Sequence, residues 1–410
     1  MLNHQLSPDT QAILLLCANF GQNRKIEPQP LTLSEYNSLA NWLRNNQMRP
    51  ADLLEPIAGK QLQKIGETKL DLTRLSALLE RGAMLSLTVE KWTNQGLWIL
   101  GRGDGNYPKS LKQRLKHSAP AILYGVGNIQ LLSMGGLAIV GSRDVNQEKL
   151  DYTQKVAQQS AMEGIQVISG GARGVDKAAI LGVLQAGGTS VAVLANSLTK
   201  TSVDVEYRSS IKEGKLTLIS SYDPDAAFNI GNAMGRNKYI YALADYALVV
   251  DSSAGKGGTW AGAVEAISKL DIAVFVRMHP TISEGNQQLH DKGAKVFPPQ
   301  PWNDLKQLLI STTSSIEPSA ETKEIKETNQ PHQEVPSTSK EIYQAVLPLI
   351  LNHLQQPLDA KTLAESLNVR LSQMQDWLNE AVEEGKVKKT KKPVTYVINQ
   401  LATQLSMFSN

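Results

Sequence analysis

The stretch 137–176 constrains the chain most. Leu137-Ala138-Ile139-Val140 is an unbroken apolar run and reads as a strand buried on both faces. It stops at Gly141-Ser142-Arg143, after which Leu150, Ala157 and Ala161 recur at helical spacing along one face. A second apolar run, Ile165 to Ser169, ends at Ser169-Gly170-Gly171-Ala172-Arg173-Gly174, and another helix begins near Val175 and Asp176. Strand, glycine turn and helix, twice over, is the pattern of a parallel α/β sheet. Both turns then fall at the carboxyl ends of neighbouring strands, where such sheets bind ligands. Backbone N–H groups in glycine turns and at helix N-termini favour anions. Arg143 and Arg173 add a guanidinium to each turn, so the pattern predicts a phosphate-bearing ligand.

The alternation continues to residue 298 through the strand candidates TSVAVLA, LTLIS, YALVVD, IAVFVR and AKVF. Helices fall between them, including AMGRNKYIYALAD and TWAGAVEAISKL. Residues 101–305 are therefore expected to form a doubly wound, Rossmann-like parallel sheet. Residues 1–100 read as an N-terminal helical module, chiefly a packing appendage. In it Leu72, Leu75, Leu78 and Leu79 mark a helix with Gly82 as its expected C-cap. Lys109, Lys112, Arg114 and Lys116 read as a solvated helix face. Residues 306–338 are rich in Ser, Thr, Glu and Pro and read as a flexible linker. Residues 339–400 read as a winged helix-turn-helix. Ile342, Val346, Leu349 and Ile350 mark its first helix and Asp359 caps the second. Ser372 caps a third with Met374, Leu378 and Val382 on its apolar face, and a lysine-rich hairpin follows.

Composition removes several classes of function. At 410 residues two or three domains are expected. Cys17 is the only cysteine, which excludes an intramolecular disulfide and cysteine-based zinc; the six histidines show no metal spacing. No metal or cofactor is expected. The N-terminus lacks the pattern of a signal peptide and no apolar run reaches membrane-spanning length, so a cytoplasmic protein without membrane association is expected. GxxxxGK[ST] and GxGxxG are both absent. No histidine lies near the glycine turns, so no catalytic residues are assigned and the chain is not expected to be an enzyme.

The stretches YPKSLKQRL…PAILYGVGN, IVGSR, VISGGARGVD, GRNKYIYALADYALVV and GKGGTWAGA occur in that order over residues 105–298. In motif order and spacing the chain resembles the DNA-processing protein A (DprA, or Smf) family. The resemblance implies binding of single-stranded DNA, homodimerisation and help in loading the RecA recombinase during natural transformation, without catalytic chemistry. There are departures. The family's Ala-His pair after GLARGID is replaced by Lys177-Ala178-Ala179. A Ser-Gly-Ser-Leu-like turn gives way to Gly257-Gly258-Thr259-Trp260, and a Tyr-Pro pair to Tyr207-Arg208.

On this reading Gly141, Ser142, Ser169, Gly170, Gly171 and Gly174 frame backbone donors for phosphate. Arg143, Arg173, Arg236, Lys238 and Lys256 neutralise it. Arg236 and Lys238 sit near the start of a helix, where cations oppose the dipole unless an anion is bound or a partner acid compensates them. Asn237 bonds a ligand or caps its helix, and Tyr239 stacks on a base or packs in the core. Asp176 would orient Arg173 or complement the dipole of its own helix, and Asp251 would do likewise for Lys256. In the winged helix the DNA contacts are Lys386, Lys388, Lys389, Lys391 and Lys392. A rival reading is a nucleotide-binding enzyme or sensor of the related lonely-guy-like group, with Glu265 as its acid.

Overall fold

The computed structural model describes the chain apart from residues 1–5, 21–27, 56–69, 279–281, 315–337, 355, 368, 370, 391–394 and 400–410. Its packing divides it into two units, Met1–Pro318 and Ser319–Asn410. The larger is built on a nine-stranded sheet. The strands are β1 (Trp98–Gly101), β2 (Ile122–Val126), β3 (Leu137–Val140), β4 (Val167–Ser169), β5 (Ser190–Val193), β6 (Leu216–Ser220), β7 (Tyr246–Val249), β8 (Ala273–Val276) and β9 (Lys295–Val296). Their order is β1-β2-β6-β5-β4-β3-β7-β8-β9. All pairings from β6 to β9 are parallel, whereas β2 on β6 and β1 on β2 are antiparallel.

The parallel strands are the apolar runs read from the sequence, and alternation explains their burial. Leu137 and Ile139 of β3 enter one apolar cluster, with Val156, Ala157, Ala179 and Val183. Ala138 and Val140 enter the opposite one, with Ile240, Leu243, Ala263 and Ala266. Helices Gln147–Met162 and Val175–Gln185 thus cover one face, and Ile230–Leu243 and Gly257–Lys269 the other. Full burial of each large aliphatic side chain contributes roughly 1.5–3 kcal/mol. The sheet is α/β and doubly wound, as expected. Its winding reverses at β3, with β4, β5 and β6 to one side and β7, β8 and β9 to the other.

The N-terminal helices share their core with the sheet. Leu14, Leu39 and Leu78 are fully buried in one cluster with Tyr124 of β2 and Leu218 of β6. Trp92 meets Tyr124 edge-on with ring centroids 5.2 Å apart. Asp104 fastens the first helix to β1, accepting from Ser7 Oγ (2.6 Å), Thr10 Oγ1 (2.7 Å) and the Gly101 N–H (2.8 Å). Two readings are corrected here. Gly82 opens the helix Gly82–Asn94 rather than capping the preceding one, because the chain turns one residue earlier, where buried Arg81 donates to the Leu15 carbonyl. β1 also crosses the boundary drawn at residue 100.

At the far end of the larger unit, helix Leu305–Ser314 runs into the stretch read as linker. The smaller unit has helices Thr338–His353, Ala360–Ser366 and Leu371–Glu383, then a hairpin pairing Val387–Lys389 with Tyr396–Ile398. Leu358 bridges to Tyr396. Asp359 caps its helix as expected, accepting from the Lys361 and Thr362 N–H groups. The first helix is phased differently from the expected stripe. Tyr343, Leu347, Ile350 and Leu354 are buried while Leu349 is exposed. Ser372 falls one residue inside the third helix.

Candidate functional site

At the switch point the loops after β3 and β7 part, as doubly wound sheets require, and leave a crevice between them. It has a volume of ≈ 530 Å³ and is lined by Gly141, Ser142 and Arg143 after β3, by Asp251 and Lys256 after β7, and by Arg236 and Asn237 of helix Ile230–Leu243. Arg114 holds that helix in place by donating to the carbonyls of Ala242 and, at its C-cap, Ala244. The basic stretch around residue 112 is therefore not wholly a solvated face.

At the floor of the crevice lies a buried ion pair. Arg236 Nη1 is 4.0 Å from Asp176 Oδ2, and both side chains are less than a tenth exposed. Burial pushes the Asp176 carboxyl above its usual range, while Arg236 and the backbone N–H groups of Ala172, Gly141 and Gly170 pull it back. Burial likewise lowers the Arg236 pKa, which Asp176 partly restores. Arg236 Nε and Nη1 have no hydrogen-bond partner among the described residues. Gly170 is required beside this pair, since a Cβ there would collide with the Arg236 guanidinium and the Asp176 carboxylate. Gly174 has φ +82°, and a Cβ on it would meet the Ser142 and Arg143 carbonyl oxygens at 2.6 and 2.5 Å.

This geometry corrects several readings. The glycine-turn amides expected to await a ligand phosphate instead face an anion of the chain itself, Asp176. The Ser142 N–H is also occupied, donating to the Asp251 carbonyl at 3.0 Å. Arg236 lies mid-helix, because Asn229 caps the helix seven residues before it by accepting from the Gly231 and Asn232 N–H groups. The argument from dipole opposition therefore lapses. Asp176 pairs with Arg236 and not with Arg173, which bonds Asp144 at 2.7 Å in solvent. Asp251 pairs with Lys149 at 2.5 Å and not with Lys256. Tyr239 is buried in the core, with burial raising its hydroxyl pKa to about 12. Lys238 lies over the Tyr239 ring, outside the crevice lining. Asn237 neither caps its helix nor stands free. Its Nδ2 donates to the Gly258 carbonyl at 2.8 Å, tying the two flanking helices together.

The expected residues that come together in the crevice are Gly141, Ser142, Arg143, Arg236, Asn237 and Lys256. Ser169, Gly170, Gly171, Arg173 and Gly174 do not line it; Ser169 Oγ is turned to the Ile139 carbonyl. Arg143 and Lys256 are exposed and have no carboxylate partner among the described residues. Sequence reasoning missed Thr259, whose Oγ1 donates to the Gly141 carbonyl at 3.0 Å, and an apolar rim. Phe228 (51%), Ile230 (75%) and Met234 (44%) are exposed along one wall, and the Arg143 guanidinium sits 5.2 Å from the Phe228 ring centroid. The only signal for that rim is an apolar loop, AAF, before the Asn229 cap. Glu265 does not line the crevice.

In the smaller unit Lys388 and Lys389 are exposed on the hairpin, Lys389 over the Tyr396 ring. Lys386 pairs with Glu384 at 2.9 Å. Lys391 and Lys392 lie outside the described residues. No helix among the described residues is long and apolar enough to cross a membrane, and no described group of His, Cys, Asp and Glu could hold a metal ion.

A doubly wound sheet with a crevice at its switch point, lined by Arg143, Arg236 and Lys256 beside Asp144, Asp176 and Asp251, defines an α/β protein of the class whose ligand crevices lie at the strand ends. More narrowly, the chain belongs to the DNA recombination-mediator protein A family, whose model matches residues 98–308, just over half of its length. It is 28% identical over 201 residues to the DNA processing protein DprA of Streptococcus pneumoniae, a match covering 47% of this chain and 68% of that protein. It is 31% identical over 140 residues to protein Smf of Escherichia coli, covering 34% of this chain and 37% of that protein. The X-ray structure of DprA from Streptococcus pneumoniae superposes with a TM-score of 0.55 at 21% identity, covering 71% of this chain and 95% of that one, and shares its fold.

Proposed function

We propose that the larger unit binds single-stranded DNA along the carboxyl ends of its strands, with backbone phosphates at Arg143 and Lys256 and bases against Phe228, Ile230 and Met234. The observation that carries this reading is the pairing of unpartnered cations with an exposed apolar rim on one crevice. A nucleotide strand presents both an anion and a π-face in each repeat, and stacking on such platforms contributes about 1–3 kcal/mol per base. Arg236, whose Nε and Nη1 lack acceptors among the described residues, supports a further phosphate at the floor. Family membership supports the role: a recombination mediator that holds incoming single strands, forms homodimers and assists RecA. The rival nucleotide enzyme has less support, since Asp176 and Asp251 are both committed to ion pairs and Glu265 lies off the crevice. The test is binding of the full chain to single- and double-stranded oligonucleotides of one sequence over a salt series. The single strand is expected to bind more tightly at every salt, because the crevice leaves no groove-entering element to favour a duplex. Equal affinities would overturn the reading.

The smaller unit, read as a winged helix, is proposed to add phosphate contacts through Lys388 and Lys389. Changing both to Glu should weaken DNA binding by the full chain roughly three- to tenfold at low salt, with the effect fading as salt rises. Unchanged affinity at low salt would assign the hairpin to a protein partner instead.

A further inference from the structure

A second pocket, of ≈ 450 Å³, lies at the end of β8, beyond the crevice along the same sheet edge. One wall is the first turns of helix Gln147–Met162, the other Pro298 and Pro299, and Arg277 closes it. Arg277 is 7% exposed and its guanidinium lies 4.2 Å from the Tyr152 ring centroid. Its Nη2 bonds the carboxylate of Glu148, itself half exposed, and its Nε has no hydrogen-bond partner among the described residues. A buried guanidinium held by one half-solvated acid and one ring is costly unless something else completes it.

The site's chemistry separates the two parts of a nucleotide. It is electrically balanced: Arg277 and Lys155 stand against Glu148 and Asp151, and Asp151 accepts from Gln147 Nε2 at 2.7 Å. A phosphate entering it would meet the Glu148 carboxylate. A nucleobase, being neutral, would not be repelled by it. Its edge sets ring and carbonyl acceptors beside N–H donors, which matches a guanidinium donor beside a carboxylate acceptor, and its faces suit Tyr152, Met278 and the two prolines. β3, β7 and β8 are adjacent strands about 5 Å apart, so the end of β8 lies roughly 10 Å from that of β3 and about 5 Å from that of β7, the two strands that border the crevice. The Lys149–Asp251 ion pair spans the ground between them.

Resting on the single-strand reading above, we propose that the pocket formed by Arg277, Glu148, Tyr152 and Pro298–Pro299 receives a base of the same strand, which therefore leaves the crevice toward β8 rather than toward β5.

The test is a cycle between protein and DNA, read by fluorescence anisotropy with the full chain. Glu148→Ala, its fold checked by thermal melting because it removes the acid partner of buried Arg277, is combined with oligonucleotides carrying one abasic residue at successive positions. If Glu148 only adds negative charge beside a phosphate track, its removal strengthens binding. A base pocket predicts the opposite sign: Glu148→Ala weakens binding of the intact strand about threefold or more. At one abasic position, wild-type protein loses about fivefold or more while Glu148→Ala loses little further. Arg277→Gln, with its fold checked by thermal melting, should reproduce that position-specific loss. Independent, multiplying effects at every position, or tighter binding by Glu148→Ala, would overturn the pocket while leaving the crevice reading intact. Failure of the wild type to bind single strands at all would overturn both.

Discussion

Arg143→Ala should lower affinity for single-stranded DNA by roughly tenfold and flatten the plot of log affinity against log salt by about 0.7–1 unit. Arg143 follows Gly141 and Ser142 at the end of the central strand, is exposed at the crevice, and rests against the Phe228 ring instead of an acid. Its charge is therefore free for a phosphate, and each such contact releases close to one condensed counterion. Arg143→Lys keeps the charge but loses the planar fork and the stacking on Phe228, so an intermediate affinity is expected with most of the slope retained. Stability should stay within about 0.5 kcal/mol of wild type, as for other exposed substitutions. A folded Arg143→Ala protein with wild-type affinity and slope would remove the crevice as the binding site. If that variant instead lost a mononucleotide, the rival reading would take over.

Asp176→Ala should destabilise the larger unit by about 3–5 kcal/mol, because it strands the Arg236 charge in a site that is 4% exposed. Thermal unfolding should show the midpoint falling on the order of 10 °C. The backbone N–H groups of Gly141, Gly170 and Ala172 lose their shared anion at the same time, so DNA binding should weaken even in the fraction that stays folded. Adding Arg236→Met to Asp176→Ala should recover part of the stability, since no buried charge is then left alone. An Asp176→Ala protein within 0.5 kcal/mol of wild type would show that the pair does not support the floor of the crevice.

The strands were legible because a parallel strand buried on both faces writes itself as an apolar run, and LAIV, LTLIS and IAVFVR all do so. WILG of β1 was not legible as a strand: it is four residues long, follows a helix within a few residues, and is specified by antiparallel pairing with Ile122–Gly125 some twenty residues on. The two glycine turns announced the crevice and Arg143. They did not announce that Asp176 would fill the amides, because its partner Arg236 is brought in by the crossover from β6 to β7, which no local pattern encodes. The start of that helix was misjudged because Ile230 and Met234 are apolar yet exposed, so its hydrophobic pattern does not mark its true beginning. The same exposure hid the rim, since residue type alone does not separate an apolar platform from core. In the smaller unit the first helix carries apolar residues on more than one face, and the buried stripe follows Tyr343, which the aliphatic pattern passes over.

The two margins of the sheet differ from its middle in a way that bears on solubility. Trp98–Gly101 at one margin is fully buried, and the Gly101 N–H donates to Thr10 Oγ1 of the first helix at 3.0 Å. At the other margin β9 is only two residues long, and Lys295 reaches from it to the Thr312 carbonyl at 2.6 Å. One edge is roofed and the other is truncated beside a lysine, so neither offers a run of open backbone groups to an incoming strand. Among the described residues this nine-stranded sheet therefore has no open edge for a second copy to extend, and self-association through this unit is left to helical or loop surfaces.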